Sequence, residues 1–93
     1  MKILPFKYLP NSRIAERWEG EPNEVFEEHY HPLDKTLWCE AGEITFAIEG
    51  EELVFSKGQT FTLPAGTRHS AVAGTSGCLC WESPKLDDNP TMV

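Results

Sequence analysis

The sequence predicts an all-β fold, either a barrel or a sandwich. Gly and Pro recur at short intervals along the 93 residues, and the segments between them are too short for an amphipathic helix of normal length. Those segments are rich in β-branched and aromatic residues, which favour strands. Many short strands at this spacing favour a closed sheet, because closure removes the edges through which strands aggregate.

Six strands are predicted in the middle and the C-terminal half of the chain, and two weaker candidates precede them. The six span residues 36–41, 43–48, 52–56, 60–63, 70–73 and 78–81, and the weaker two span 13–18 and 23–29. Hairpin turns are predicted at residues 49–51, 57–58 and 74–77, where glycine allows a tight reversal of the chain. Residues 84–93 are polar and contain proline, which predicts a loose tail.

Composition and charge exclude several classes of protein. The chain carries 15 acidic and 8 basic residues and a net charge of -7, so we expect neither a nucleic acid nor a membrane as partner. No apolar run is long enough for a signal sequence or a membrane span. Three cysteines are an odd number for a disulfide framework, so reduced thiols and a cytoplasmic location are expected. A chain this short forms one domain, residues 1–93, whose thin core favours a homodimer.

The three histidines follow a pattern that is typical of a metal site. His29 and His31 are two residues apart, so strand alternation places both imidazoles on one face. His69 follows a Pro-Ala-Gly turn, and a third imidazole from a neighbouring strand would complete a triad of nitrogen ligands. Three protein ligands leave open positions for water or substrate, as in catalytic sites. The pair alone is weak evidence, since this spacing also arises by chance on exposed strands.

Two segments of the chain, residues 29–42 and 58–73, resemble the two motifs of the cupin superfamily. The positions that match are His29, His31 and Gly42 in the first motif, and Gly58, Pro64, Gly66 and His69 in the second. The resemblance implies a cupin double-stranded β-helix, that is, a jelly-roll barrel around a cavity. It also implies one divalent transition metal, Fe, Mn, Ni or Zn, bound by the three histidines.

The chain departs from the first motif at Lys35, which stands where the family has a metal-binding glutamate. Alternation places Lys35 on the same face as His31, where an ammonium group favours an anionic small-molecule ligand. Three alternatives remain open. A bulge at Pro32 would turn Asp34 inward as an oxygen ligand, the Lys35 amine would otherwise reach water at the barrel mouth, or the lysine marks a cupin that has lost its metal.

Four residues are candidates for contact with a substrate. Lys35 is a candidate for both catalysis and substrate binding, and Phe46 is a candidate for an apolar wall of the cavity. Cys39 is a candidate thiol near the metal, although a buried cysteine more often packs as a small hydrophobic residue. Arg68, beside His69, is a candidate rim contact for a carboxylate, with an ordinary surface position as the alternative.

Two functions are consistent with these residues. The first is a mononuclear, dioxygenase-like metalloenzyme that acts on a small organic acid or diketone, which the resemblance to three-histidine cupins implies. The second is a non-catalytic cupin that binds a small ligand and whose metal is lost or incidental. Loss of activity on changing any of the three histidines would distinguish the first from the second.

Overall fold

A computed structural model describes residues 16–83 and 91–92 of the chain, and every regular element in these ranges is a strand. The seven strands are β1 (Glu16–Gly20), β2 (Val25–Tyr30), β3 (Lys35–Ile48), β4 (Glu51–Ser56), β5 (Thr60–Leu63), β6 (His69–Ser83) and β7 (Thr91–Met92). The prediction of an all-β fold is confirmed. None of the described residues belongs to a helix with the length and hydropathy of a membrane span.

The sheet is built around two long strands, β3 and β6, which pair with each other along most of their length. Strands run in the order β4-β3-β6-β2-β7, while β1 adds to β6 and β5 adds to β3. Every pairing is antiparallel. The strand neighbours β3, β6 and β2 are not consecutive in sequence, and this crossover pattern agrees with the predicted jelly roll.

The length of β3 and β6 corrects two sequence-based predictions. Residues 36–41 and 43–48 form one strand rather than two, and the hairpin turn predicted at 74–77 is wrong because β6 continues through it. Gly42 and Gly77 have φ angles of 73° and 76°, and the β3–β6 register shifts around Gly42. Glycines with positive φ inside paired strands make bulges, which bend the strands without reversing them.

The bulge in β6 also changes which side chains face the interior. Buried side chains of β6 lie at odd positions before Gly77, at His69, Ala71 and Ala73, and at even positions after it, at Cys78 and Cys80. Ser83, the last residue of the strand, is also buried. Strand alternation alone would turn the even positions outward. The bulge therefore keeps both ends of the long strand facing the same interior.

The predicted turns differ in what they join. The turn at Glu49–Gly50 connects β3 to β4 as a hairpin, which confirms that prediction. The turn at 57–58 is no hairpin, because β4 and β5 both pair with β3 and follow each other along it.

Within the predicted tail, residues 84–90 lie outside the described part of the chain, while Thr91–Met92 pairs with β2. At those two positions the tail is part of the sheet.

The three cysteines lie in the core that the two long strands enclose. Cys39 and Cys80 are cross-strand neighbours, both are 0% exposed, and Cys78 is also buried. Burial raises the pKa of all three thiols, most strongly that of Cys80. They are therefore protonated, packed side chains.

We predict that none of the three thiols reacts with a thiol-specific reagent while the protein is folded. The thiolate is the form that attacks the reagent; burial disfavours this form, and the reagent has no access to the core. At mildly alkaline pH, the absorbance of the released chromophore should stay at baseline. After denaturant is added, it should rise to the value that corresponds to three labelled thiols per chain. Rapid labelling of any thiol under native conditions would contradict this packing.

Candidate metal centre

The structure brings the three histidines together from two adjacent strands. His29 on β2 and His69 on β6 are cross-strand partners, and His31 follows directly after β2. The nearest candidate ligand atoms of all three lie within 4.8 Å of one another. The ring centroids of His29 and His69 are 4.3 Å apart, and that of His31 is 5.0 Å from His29 and 5.4 Å from His69.

A bulge in β2 gives His29 its direction. The β2–β6 register shifts between Phe26 and His29, and both side chains line the same cavity although they are three residues apart. In a regular strand, residues three apart point to opposite faces. Because of this bulge, the Phe26 ring forms an apolar wall on the same side of β2 as the His29 imidazole.

The turn before His69 is fixed to the first histidine motif by two hydrogen bonds. The Gly66 N–H donates to the carbonyl of His31 at 2.9 Å, and the Ala65 N–H donates to the Asp34 carboxylate at 2.7 Å. Gly66 has a φ angle of 79°, which favours glycine. Asp34 is exposed and points to this turn, so the alternative in which it faces the metal is not what the structure shows.

Two backbone hydrogen bonds determine which ring nitrogens are available as ligands. The Nδ1 atom of His29 lies 2.6 Å from the carbonyl oxygen of Glu27, and that of His69 lies 2.9 Å from the carbonyl oxygen of Thr67. A carbonyl only accepts, so each Nδ1 carries the proton and each Nε2 keeps its lone pair. This is the arrangement that metal-binding histidines adopt. The donor set therefore fits a divalent transition metal.

Burial keeps His69 neutral, as a metal ligand must be. The side chain is 3% exposed, and this burial is the main reason that its pKa is lowered. The hydrogen bond to Thr67 and the negative charge of Glu82 act in the opposite direction, whereas His29 and His31 lower the pKa further. A neutral imidazole binds a metal without first losing a proton.

The histidine cluster opens into a cavity of about 260 Å³. The cavity walls are formed by Trp18, Glu19, Phe26, His29, His31, Lys35, Leu37, Ile44, Phe46, Leu63, His69, Ala71 and Glu82. Most of the surface is apolar, and Lys35 and Glu82 share the wall with the histidines. A small organic molecule with a few polar atoms matches such a site.

Lys35 and Glu82 form an ion pair inside this cavity. The Nζ atom of Lys35 lies 3.1 Å from Oε2 of Glu82, and the two side chains are 5% and 23% exposed. Lys35 faces inward as strand alternation predicts. Glu82 was not predicted as a site residue, because the sequence pattern ends the last core strand at residue 81. The one signal in the sequence was that Glu82 lies two residues after Cys80 and four after Cys78, which places its side chain on their face of the strand.

Two of the predicted substrate contacts lie elsewhere. Cys39 packs in the core, where its thiol lies 3.2 Å from the carbonyl of Ala41, and it is not part of the cavity wall. Arg68 is exposed and also lies outside the wall, because it precedes the point at which β6 turns His69 inward. Phe46 does line the cavity, with its ring centroid 6.1 Å from that of His69. Neither Cys39 nor Arg68 is therefore placed to contact a molecule in this cavity.

Trp18 provides a polar group that sequence reasoning missed. Its indole packs edge-on against Phe26, with ring centroids 5.6 Å apart, and it lines the cavity. The Nε1 atom is buried and has no hydrogen-bond acceptor within the part of the chain that the structure describes. A buried N–H of this kind is satisfied when a ligand oxygen accepts from it.

The family model described as the cupin domain matches residues 16–81 of this chain. A search of curated proteins found no match.

Several solved structures share the fold. The polyketide cyclase RemF from Streptomyces resistomycificus is 19% identical with a TM-score of 0.73, over 86% of this chain and 59% of that one. KdgF from Halomonas sp. is 28% identical with a TM-score of 0.65, over 80% of this chain and 70% of that one. The DMSP lyase DddQ from Ruegeria pomeroyi is 19% identical with a TM-score of 0.75, over 86% of this chain and 42% of that one. The chain thus spans less than two thirds of the cyclase and of the lyase.

Proposed function

This chain belongs to the cupin family, and on that premise we propose that it is a mononuclear, dioxygenase-like metalloenzyme acting on a small organic molecule. The observation that supports this most strongly is the cluster of His29, His31 and His69 at the wall of the cavity. Imidazole nitrogens suit Fe, Mn, Ni or Zn, and the Nδ1 contacts of His29 and His69 leave the Nε2 atoms of both for a metal. A bound dication supplies Lewis acidity, and a redox-active one also supplies oxygen activation.

The other cavity residues have roles that follow from their positions. Lys35 is the proposed catalytic and substrate-binding residue, because its amine is an N–H donor inside a mostly apolar cavity. Trp18 and Phe26 form one apolar part of the wall, and Phe46 forms another beside His69. Substrate sites usually have volumes of about 300–1,000 Å³. A cavity of about 260 Å³ therefore favours a compact organic acid or diketone.

Oxygen uptake tests this proposal. We expect protein reconstituted with ferrous iron under anaerobic conditions to consume dioxygen with at least one compound from a panel of small organic acids and diketones. Chelation of the metal should abolish the uptake. Lys35→Met should lower kcat by about ten-fold or more, as expected for a group that donates or accepts a proton in the reaction. Uptake that persists without metal would contradict the proposed role of the histidines.

A non-catalytic, ligand-binding cupin is the second candidate, and the position of Lys35 favours it. A lysine stands where the first cupin motif has a metal-binding glutamate, so the site has lost one family ligand. In that case, calorimetry would show a compound from the panel binding equally well to wild type and to His69→Ala. No turnover would accompany this binding.

The assembly and location of the protein are also proposals. Val25 and Val72 are cross-strand partners and are 65% and 45% exposed, and Val54 lies on the same sheet with 54% exposed. An exposed apolar row of this kind is consistent with a homodimer in which sheets pack together. Three reduced thiols in the described core are consistent with a cytoplasmic location.

A further inference from the structure

The ammonium group of Lys35 creates an electrostatic problem for the histidine site. Its side chain is 5% exposed and lies in the same cavity as the cluster. A dication bound by three neutral imidazoles would meet a second positive charge with little water to screen it. Something inside the cavity must offset the lysine before the site accommodates a metal.

Glu82 is placed to do this. Its carboxylate lies 3.1 Å from the Lys35 amine, is largely buried and lines the cavity. It shares the cavity wall with His29, His31 and His69, so its charge and that of Lys35 act on the same space. Among the described residues, the other carboxylate on the cavity wall is that of Glu19, which is 71% exposed and lies 3.9 Å from Arg17.

The fold fixes this pairing through strand register. Glu82 is the cross-strand partner of Leu37, and Lys35 lies two residues before Leu37 on the same face of β3. Lys35 and Glu82 are therefore diagonal neighbours, which long side chains bridge readily. Glu82 faces the cavity because the bulge at Gly77 shifts the alternation of β6. A regular strand would have turned this carboxylate outward.

We propose that Glu82 is the internal counter-ion of the histidine site: its carboxylate, held on Lys35, offsets the ammonium charge and so lets three neutral imidazoles hold a dication. This assignment rests on the proposed function, because it presupposes that the histidines bind a metal. Glu82 is a positioning residue in this scheme and does not need to contact the metal.

Zinc affinity in a set of charge variants tests the proposal. Zn²⁺ alone is the probe, and its dissociation constant is measured by competition with a chromophoric chelator at neutral pH. Glu82→Gln removes the carboxylate that is paired with Lys35, and we expect it to weaken zinc binding by about ten-fold to 100-fold, the range for groups just outside a metal's ligands. Lys35→Met removes the opposing charge and should bind zinc as tightly as wild type or more tightly. The double variant carries neither charge and should return to wild-type affinity.

Glu19→Gln is the matched control, because it removes a carboxylate from the same cavity wall at an exposed position. Its effect should be about five-fold or less. Wild-type affinity in Glu82→Gln, weakened binding in Lys35→Met, or a double variant as weak as Glu82→Gln would each overturn the proposal. If Glu82→Gln fails to fold, Lys35→Met and the double variant still test the proposal, since both lack the Lys35 ammonium. A wild type that binds no zinc would overturn the proposed function as well.

Discussion

The His69→Ala variant should purify without metal, whereas the wild type should carry about one equivalent of a single transition metal per chain. His69 is the most buried of the three histidines, and its neutral imidazole aims its Nε2 lone pair at the cluster. Without it, two imidazoles remain and the affinity falls below what survives purification. The measurement is elemental analysis by mass spectrometry on protein prepared without an affinity tag or added metal.

A matched control separates this site from adventitious metal. Glu28→Gln changes an exposed side chain beside His29 and should leave the metal content unchanged. Circular dichroism of the metal-free proteins should show the same β-sheet spectrum for all three. Equal metal content in wild type and His69→Ala would contradict the three-histidine site.

Among Gly→Ala variants of the described residues, Gly42→Ala should lose the most stability. Gly42 has a φ angle of 73°, and an added Cβ would collide with the carbonyl oxygen of Gly77 and approach Cys78 Cα to 3.0 Å. The backbone strain and the steric overlap together should cost about 3 kcal/mol or more. That is a large share of the stability of a small domain, about 5–15 kcal/mol. Denaturant unfolding followed by tryptophan fluorescence measures the loss.

Gly50→Ala is the control for this prediction. Gly50 has a similar φ angle of 82°, but nothing lies within 4 Å of its added Cβ. This variant should therefore show only the backbone strain, about 1–2 kcal/mol. Equal losses in the two variants would contradict the steric overlap predicted between a Cβ added at Gly42 and the carbonyl of Gly77.

Local sequence patterns predicted those parts of the site that depend on short-range geometry. Alternation within one strand placed His29 and His31 together and turned Lys35 inward. The Pro-Ala-Gly turn before His69 was identified from residues whose backbone preferences are local. Strand-forming segments separated by Gly and Pro were enough to predict the class of fold.

Features that depend on pairing between distant strands were not predictable in this way. Gly74–Gly77 reads locally as a hairpin turn, and only the pairing of β3 with β6 makes Gly77 a bulge. The inward direction of Glu82 and its contact with Lys35 depend on that bulge. Cys39 shares the parity of Lys35 and also faces the interior, but its thiol packs in the core and not on the cavity wall.

X-ray absorption spectroscopy of the zinc-loaded protein tests the central claim most directly, because it reports the ligand atoms themselves. Three imidazole nitrogens at about 2.0–2.1 Å, with multiple-scattering features of histidine, are the expected result. A sulfur shell at about 2.3 Å would instead place the metal on cysteines, and a shell of oxygens alone would place it on surface carboxylates. Either result would contradict the assignment of His29, His31 and His69 as the metal centre of this cupin.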